Sequence, residues 1–252
     1  MTVRLRREET LALDEVLRRL ADDPRQAARL VLQAAGAGDA EAQAMLGQIL
    51  LEGRGIARDP ALALTWFRLA AARGHAMACN MAGRCLEHGW GCPVDLAEAA
   101  RCYRAAAAQG LDWGLYNLAN LYGTGRGVPE DQARAFALYR QAAERGHAKS
   151  MNLVGRYLED GRAGPRDLQA AEQWYRRAAE AGDFRGQFSL AVSLIGRHAW
   201  DEARHWLLQA LAGGHLRFVR HALGQLRAVP VPALADVLDA YAHRERTLAR
   251  DG

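Results

Sequence analysis

Glycines recur at Gly38, Gly74, Gly110, Gly146 and Gly182, each 36 positions after the last. Gly53, Gly89, Gly125 and Gly161 keep the same step, and so do Asp23, Asp59, Asp95, Asp131 and Asp167. Three registers with one period leave little room for a fold built around a single central core. They predict a solenoid, whose units bury their apolar faces only by stacking on their neighbours. The expected fold class is all-α, a right-handed α-solenoid of stacked antiparallel helix pairs, read as one cooperative array. Long stacked surfaces favour binding over catalysis.

Residues 40–75 show how one unit works. Ala42, Leu46, Ile49 and Leu50 lie at helical spacing, so the first half reads as a helix ending near Glu52. Gly53 and Gly55 stop it, since glycine accepts the left-handed conformation of a helix C-cap. Ile56 returns an apolar side chain to the pair. Asp59 followed by Pro60 is an N-cap and first-turn proline, and it starts a second helix carrying Ala63, Trp66, Phe67, Ala70 and Ala71. Segments 83–95, 119–131 and 155–167 overlay on 47–59, and CYRAAA, LYRQAA and WYRRAA overlay on WFRLAA at 66–71. Gly47, Gly83, Ala119, Gly155 and Ala191 recur where the two helices must cross closely.

The ends depart from this pattern. Residues 1–22, with Leu13, Val16, Leu17 and Leu20, are expected to form an N-terminal capping helix, and 23–39 a half repeat. Five repeats then fill 40–214, the last shortened by four residues after a helix at 186–196. Trp206 and Ala210 hold the second-helix register there. Residues 215–252 read as a degenerate repeat followed by a capping helix at about 233–249 that begins after Pro230 and Pro232 and carries Leu234, Val237, Leu238 and Tyr241 on one face.

The repeated LG-x-x-(Y/L)-x-x-G-x-G-(V/I)-x-x-D element, followed by A-x-x-(W)-(Y/F)-R-x-A-A-x-x-G, resembles the Sel-one-like repeat family (SLR). This is a relative of the tetratricopeptide repeat with a longer inter-helix loop, and the resemblance covers roughly 23–214. It implies a superhelical adaptor or scaffold for a protein or peptide partner, often in bacteria. In cysteine-rich secreted members a cysteine pairs with another eight residues on. Here Cys79 fills the second slot while Ala71 stands in the first.

Net charge is +4, but arginines interleave with acids and Lys149 is the only lysine, so no nucleic-acid stripe is expected. Neither a signal-peptide stretch nor a membrane-length apolar run stands out, which makes a cytoplasmic chain with free thiols and no membrane partner the expectation. No cofactor, metal or catalytic residue is expected, and no enzyme. His75, His147 and His215 stand where Asp39 and Asp183 stand in other repeats, which reads as helix capping. Cys85, His88 and Cys92 leave one alternative: a metal- or small-ligand-binding protein or enzyme. Against it, Cys85 aligns with Ile49 and Leu121, Cys92 with Ile56 and Val128, and Cys102 with Trp66 and Trp174, all core positions. Trp90 is expected to be an exposed aromatic.

First helices of stacked pairs line a concave face, and side chains one repeat apart form ladders. Gln48, Arg84, Asn120 and Arg156 make one, and Ala44, Asn80, Tyr116, Asn152 and Phe188 a second. Glu41, Met77, Trp113, Lys149 and Arg185 make a third. Amides and guanidinium groups in register suit the backbone and carboxylates of an extended peptide, with Trp113 and Tyr116 as aromatic anchors. The competing reading pairs Arg84 and Arg156 with Glu87 and Glu159 on their own helices. The expected partner-binding set is Gln48, Asn80, Arg84, Trp113, Tyr116, Asn120, Asn152 and Arg156.

Overall fold

A computed structural model describes residues 2–4, 10–12, 22–228 and 231–250. Strands β1 (Thr2–Arg4) and β2 (Thr10–Ala12) pair antiparallel, with Val3 opposite Leu11. Helices follow: α1 (Pro24–Gly36), α2 (Ala40–Glu52), α3 (Pro60–Ala72), α4 (Ala76–His88), α5 (Leu96–Ala108), α6 (Asp112–Thr124) and α7 (Gln132–Glu144). Then come α8 (Ala148–Asp160), α9 (Leu168–Glu180), α10 (Phe184–Gly196), α11 (Trp200–Gly213), α12 (Leu216–Ala228) and α13 (Ala235–Arg250), the last preceded by a 3-10 turn at Pro232–Leu234. The fold class is all-α, with consecutive helices packed in pairs. The backbone divides into two compact units, Met1–Ala135 and Phe136–Gly252.

The ribbon corrects the expected helix over the first residues of the chain. Val3 and Leu5 alternate with Arg4 and Arg6, a period of two that suits a strand, and Thr2, Val3 and Thr10 are β-branched. The apolar positions Leu13, Val16, Leu17 and Leu20 lie outside the described residues, as does Pro230.

In the amino-terminal unit each joint is built the same way. Asp23, Asp59, Asp95 and Asp131 each accept the backbone N–H three residues on, at 2.8–3.0 Å. Gly53, Gly89 and Gly125 close the first helices in the left-handed conformation. The loop after each is tied twice. Arg54 N–H donates to the Ile49 carbonyl at 3.1 Å and Asp59 N–H to that of Leu50 at 2.9 Å, and the same pair of bonds recurs at Trp90 and Asp95 and at Arg126 and Asp131.

The second glycine of each loop has a separate duty. A Cβ on Gly55 would stand 2.0 Å from the Pro24 carbonyl oxygen, and one on Gly91 2.3 Å from the backbone of Pro60 and Ala61. Each loop thus lies on the start of the preceding repeat's second helix, which explains why the period demands G-x-G rather than one glycine.

Helix crossings are equally repetitive. Phe67 and Tyr103 are fully buried, and a Cβ on Gly47 or Gly83 would stand 2.6 or 2.7 Å from their rings. The Tyr103 hydroxyl donates to Glu87 Oε2 at 2.8 Å. One repeat earlier, Phe67 has no hydroxyl, and Leu51 occupies the place of Glu87.

The carboxyl-terminal unit repeats these devices and then shortens them. Asp167 caps α9, Gly161 ends α8, and Gly155 lies beneath the Tyr175 ring, whose hydroxyl reaches Glu159 Oε2 at 2.5 Å. Between α10 and α11 the loop contracts to 197–199, where His198 takes a positive φ of 60°. The last helix buries Val237 and Tyr241, and the Tyr241 hydroxyl donates to the Leu207 carbonyl at 2.8 Å. Leu238 packs half-buried beside them.

Candidate functional site

The residues heading the first helices cap them. His75 Nδ1 accepts the Ala78 N–H at 3.0 Å while Nε2 lies 2.9 Å from Glu41 Oε2, an arrangement satisfied by a neutral ring carrying its proton on Nε2. His147 and His215 accept from Ser150 and Phe218 N–H at 3.3 Å, and Asp39 and Asp183 from Ala42 and Gly186 N–H at 2.8 Å. Burial raises the Asp183 carboxyl above its ordinary range, against the pull of the Gly186 N–H.

The cysteines are core groups. Burial, reinforced by Cys92, pushes the Cys85 thiol up to about 11. Burial and then Glu98 push that of Cys102 to about 11 as well. Burial thus favours the neutral thiol over the thiolate, which is the nucleophilic and metal-binding form. His88 is exposed, and its ring lies tilted against Trp90 with the centroids 4.8 Å apart. Among the described residues no group of three or more His, Cys, Asp or Glu is placed to hold a metal ion, so Cys85, His88 and Cys92 are not gathered into one site. Trp90 is also corrected: it is half-buried against the core, with the Arg84 guanidinium 5.0 Å from its ring centroid.

On the first helices of the amino-terminal unit, several ladder residues are engaged internally. Asn80 is buried, and its Oδ1 accepts from Asn117 Nδ2 at 2.8 Å. Gln48 donates to Glu52, and Arg84 spans Trp90 and the Met81 sulfur. Glu87 takes Tyr103 and Arg126 instead of Arg84. Trp113 is exposed and meets half-buried Tyr116 edge-on at 6.0 Å, while Asn120 is half-buried.

In the carboxyl-terminal unit, the first helices α8, α10 and α12 line a cleft of about 580 Å³. Asn152 and Arg156 from the ladders stand in it, and so does Arg185, held over the Phe184 ring at 4.4 Å and 3.4 Å from His215 Nε2. Its walls also carry Ser189, Arg217, His221 and Gln225, which the ladders missed. The degenerate repeat obscured the last three, because the shortened loop breaks the 36-residue register before α12, while Ser189 stands on α10 one position beside the ladders. Glu159 and Asp160 at the cleft are taken by Tyr175 and Arg162. Among the described residues no ion pair engages Arg156 or Arg217.

The Sel1 repeat matches residues 40–75, 76–111, 114–147, 148–183 and 201–215. The chain belongs to the Sel1 repeat family. Sel1 repeat proteins are typically non-enzymatic scaffolds for protein–protein interaction. A comparison with curated proteins finds no match. Among solved structures, the chain is similar to a Sel1 repeat protein from Oxalobacter formigenes (24% identity, 94% of this chain and 99% of that one, TM-score 0.81). A protective antigen of uropathogenic Escherichia coli with an SLR fold is 26% identical over 89% of this chain, TM-score 0.71, and this chain spans 49% of its length. An immunity protein from Pseudomonas aeruginosa shares the fold at 17% identity, over 84% of this chain and 82% of its own, with a TM-score of 0.55. No helix among the described residues is long and apolar enough to cross a membrane.

Proposed function

We propose that this Sel1 repeat protein is a cytoplasmic, non-enzymatic adaptor. It holds a peptide or a partner's surface on the first-helix faces of its repeats, the concave side of a single solenoid array. The cleft on α8, α10 and α12 supports this reading, because it sets on that face a buried amide and two guanidinium groups, of Arg156 and Arg217, that no ion pair engages among the described residues. Asn152 and Arg156 contact the partner in the carboxyl-terminal unit. In the amino-terminal unit the contact surface is Trp113 and Tyr116, flanked by Asn120, Arg84, Asn80 and Gln48. An aromatic pair with one exposed ring has the character of an interface anchor.

Affinity capture from extract of the native cell tests this with three baits: the wild-type chain, Trp113→Ala/Tyr116→Ala and Arg156→Ala/Arg217→Ala. All the exchanged side chains except Tyr116 are exposed, so the helices stay intact. A protein held by wild type and lost from either variant is expected. Its equal retention by all three moves the site to the other faces or the loops and refutes the reading.

A further inference from the structure

Asn152 is 4% exposed, and its Oδ1 is buried with no hydrogen-bond partner. A buried acceptor left unmade is costly and rare, and it asks for an explanation. The same repeat position two units earlier supplies one. Asn80 is equally buried, yet its Oδ1 receives the Nδ2 of Asn117, 37 residues on. The residue 37 positions after Asn152 is Ser189, and it lines the same cleft as Asn152. Serine is too short to reproduce the amide-to-amide bond. In one unit the acceptor is closed internally; in the other it stays unpaired on a residue that lines a cleft.

The same cleft carries Arg156 and Arg217, which no ion pair engages among the described residues, while its acids are already occupied by Tyr175 and Arg162. Its vacant chemistry is therefore one buried acceptor and two cationic forks, with the neutral side chains of Ser189, His221 and Gln225 beside them. A fitting ligand must present an N–H donor close to carboxylates. An extended peptide with acidic side chains does so along its own backbone. A DNA strand would satisfy the cations, but its deoxyribose-phosphate backbone brings no donor to Asn152.

We propose that the cleft between α8, α10 and α12 binds an acidic peptide segment, with Asn152 Oδ1 accepting a peptide backbone N–H and Arg156 and Arg217 taking side-chain carboxylates. This rests on the adaptor reading above and names the class of partner. Ser189 is what opens the site, so Ser189→Asn should close it by supplying the amide that Asn117 supplies to Asn80.

Fluorescence anisotropy on the full chain tests it. The probes are fluorescein-labelled, terminally blocked peptides alternating Gly with Asp or Glu, the matching Asn/Gln peptides, free-acid forms of both, and a single-stranded oligothymidylate. Saturable binding of the blocked acidic peptide is expected. Ser189→Asn should weaken it about tenfold, the order lost with one buried hydrogen bond, while raising the melting temperature. Arg156→Gln/Arg217→Gln, both surface changes, should weaken it further and flatten its salt dependence.

Equal binding of the neutral peptides overturns the proposal. So does binding confined to free carboxyl termini or to the oligonucleotide, no saturable binding, or a stabilised Ser189→Asn chain that binds as before. A partner captured through Arg156 and Arg217 without acidic-peptide binding removes this inference alone. A partner indifferent to every first-helix variant removes the adaptor reading too.

Discussion

The Tyr103–Glu87 pair offers a strict test of how the repeats hold together. Tyr103 is fully buried, and its hydroxyl donates to Glu87 at 2.8 Å, while Glu87 also accepts from Arg126 at 3.1 Å. The preceding repeat solves the same contact with Phe67 and Leu51. Tyr103→Phe removes one donor from a carboxylate that keeps Arg126, a loss of about 1 kcal/mol. Glu87→Leu strands a buried hydroxyl, which costs about 1–3 kcal/mol, and forfeits an ion pair to a half-exposed arginine worth about 0–1 kcal/mol. The double variant leaves neither polar end and copies the apolar solution of the neighbouring repeat, so it should lie within about 1 kcal/mol of wild type. The expected coupling is about 1–4 kcal/mol, read from urea unfolding of the four chains by far-UV circular dichroism. Additive single costs, with coupling below about 0.5 kcal/mol, would refute the claim that the two positions exchange as a unit.

Three further outcomes follow from the same geometry. Gly91→Ala should destabilise far more than Gly74→Ala. Both glycines have positive φ, 76° and 81°, but a Cβ at Gly91 strikes the backbone of Pro60 and Ala61 whereas one at Gly74 meets nothing within 4 Å. Similar melting temperatures for the two variants would contradict the loop-on-helix contact. The thiols of Cys85 and Cys102 titrate near 11 when folded, above their ordinary value of 9.0. The stability they contribute is therefore complete below about pH 9 and lost as pH rises through 11. Cys85→Ala/Cys102→Ala should flatten the first part of the alkaline decline in unfolding free energy, and an unchanged slope counts against burial as its cause. Asp183 has a raised carboxyl value, so its contribution is present below the ordinary value of 3.8 and lost as pH climbs through the folded one. Asp183→Asn keeps an N-cap acceptor and should remove that loss, matching or exceeding wild-type stability at neutral pH in a thermal melt. A clearly less stable variant would mean that the charge itself holds the helix start.

The joints were legible because each is a local event repeated. An aspartate accepting the N–H three residues on, or a glycine ending a helix in the left-handed region, needs no knowledge of the rest of the chain. The histidine caps followed from the same register, since imidazole Nδ1 can take the acceptor role of a carboxylate. The ribbon of Thr2–Arg4 and Thr10–Ala12 was missed, because apolar positions further along suggested a helix and the alternation of Val3 and Leu5 was too short to compete.

The candidate site was legible only in outline. Periodicity named the helix faces and brought Asn152 and Arg156 forward as members of a ladder, but a ladder treats equivalent positions as alike. Whether an amide oxygen is paired inside the fold or left unpaired turns on the reach of one side chain in the following first helix, Asn117 for Asn80 and Ser189 for Asn152. Arg84 lying on Trp90 and Arg217 joining the cleft after a broken register are decisions of the same kind. The sequence by itself determined the repeat, its caps and its glycine-lined crossings, which are short-range and steric. Only the tertiary structure decided which polar groups stay unpaired, because hydrogen-bond partners across stacked helices are set by distances that no period encodes.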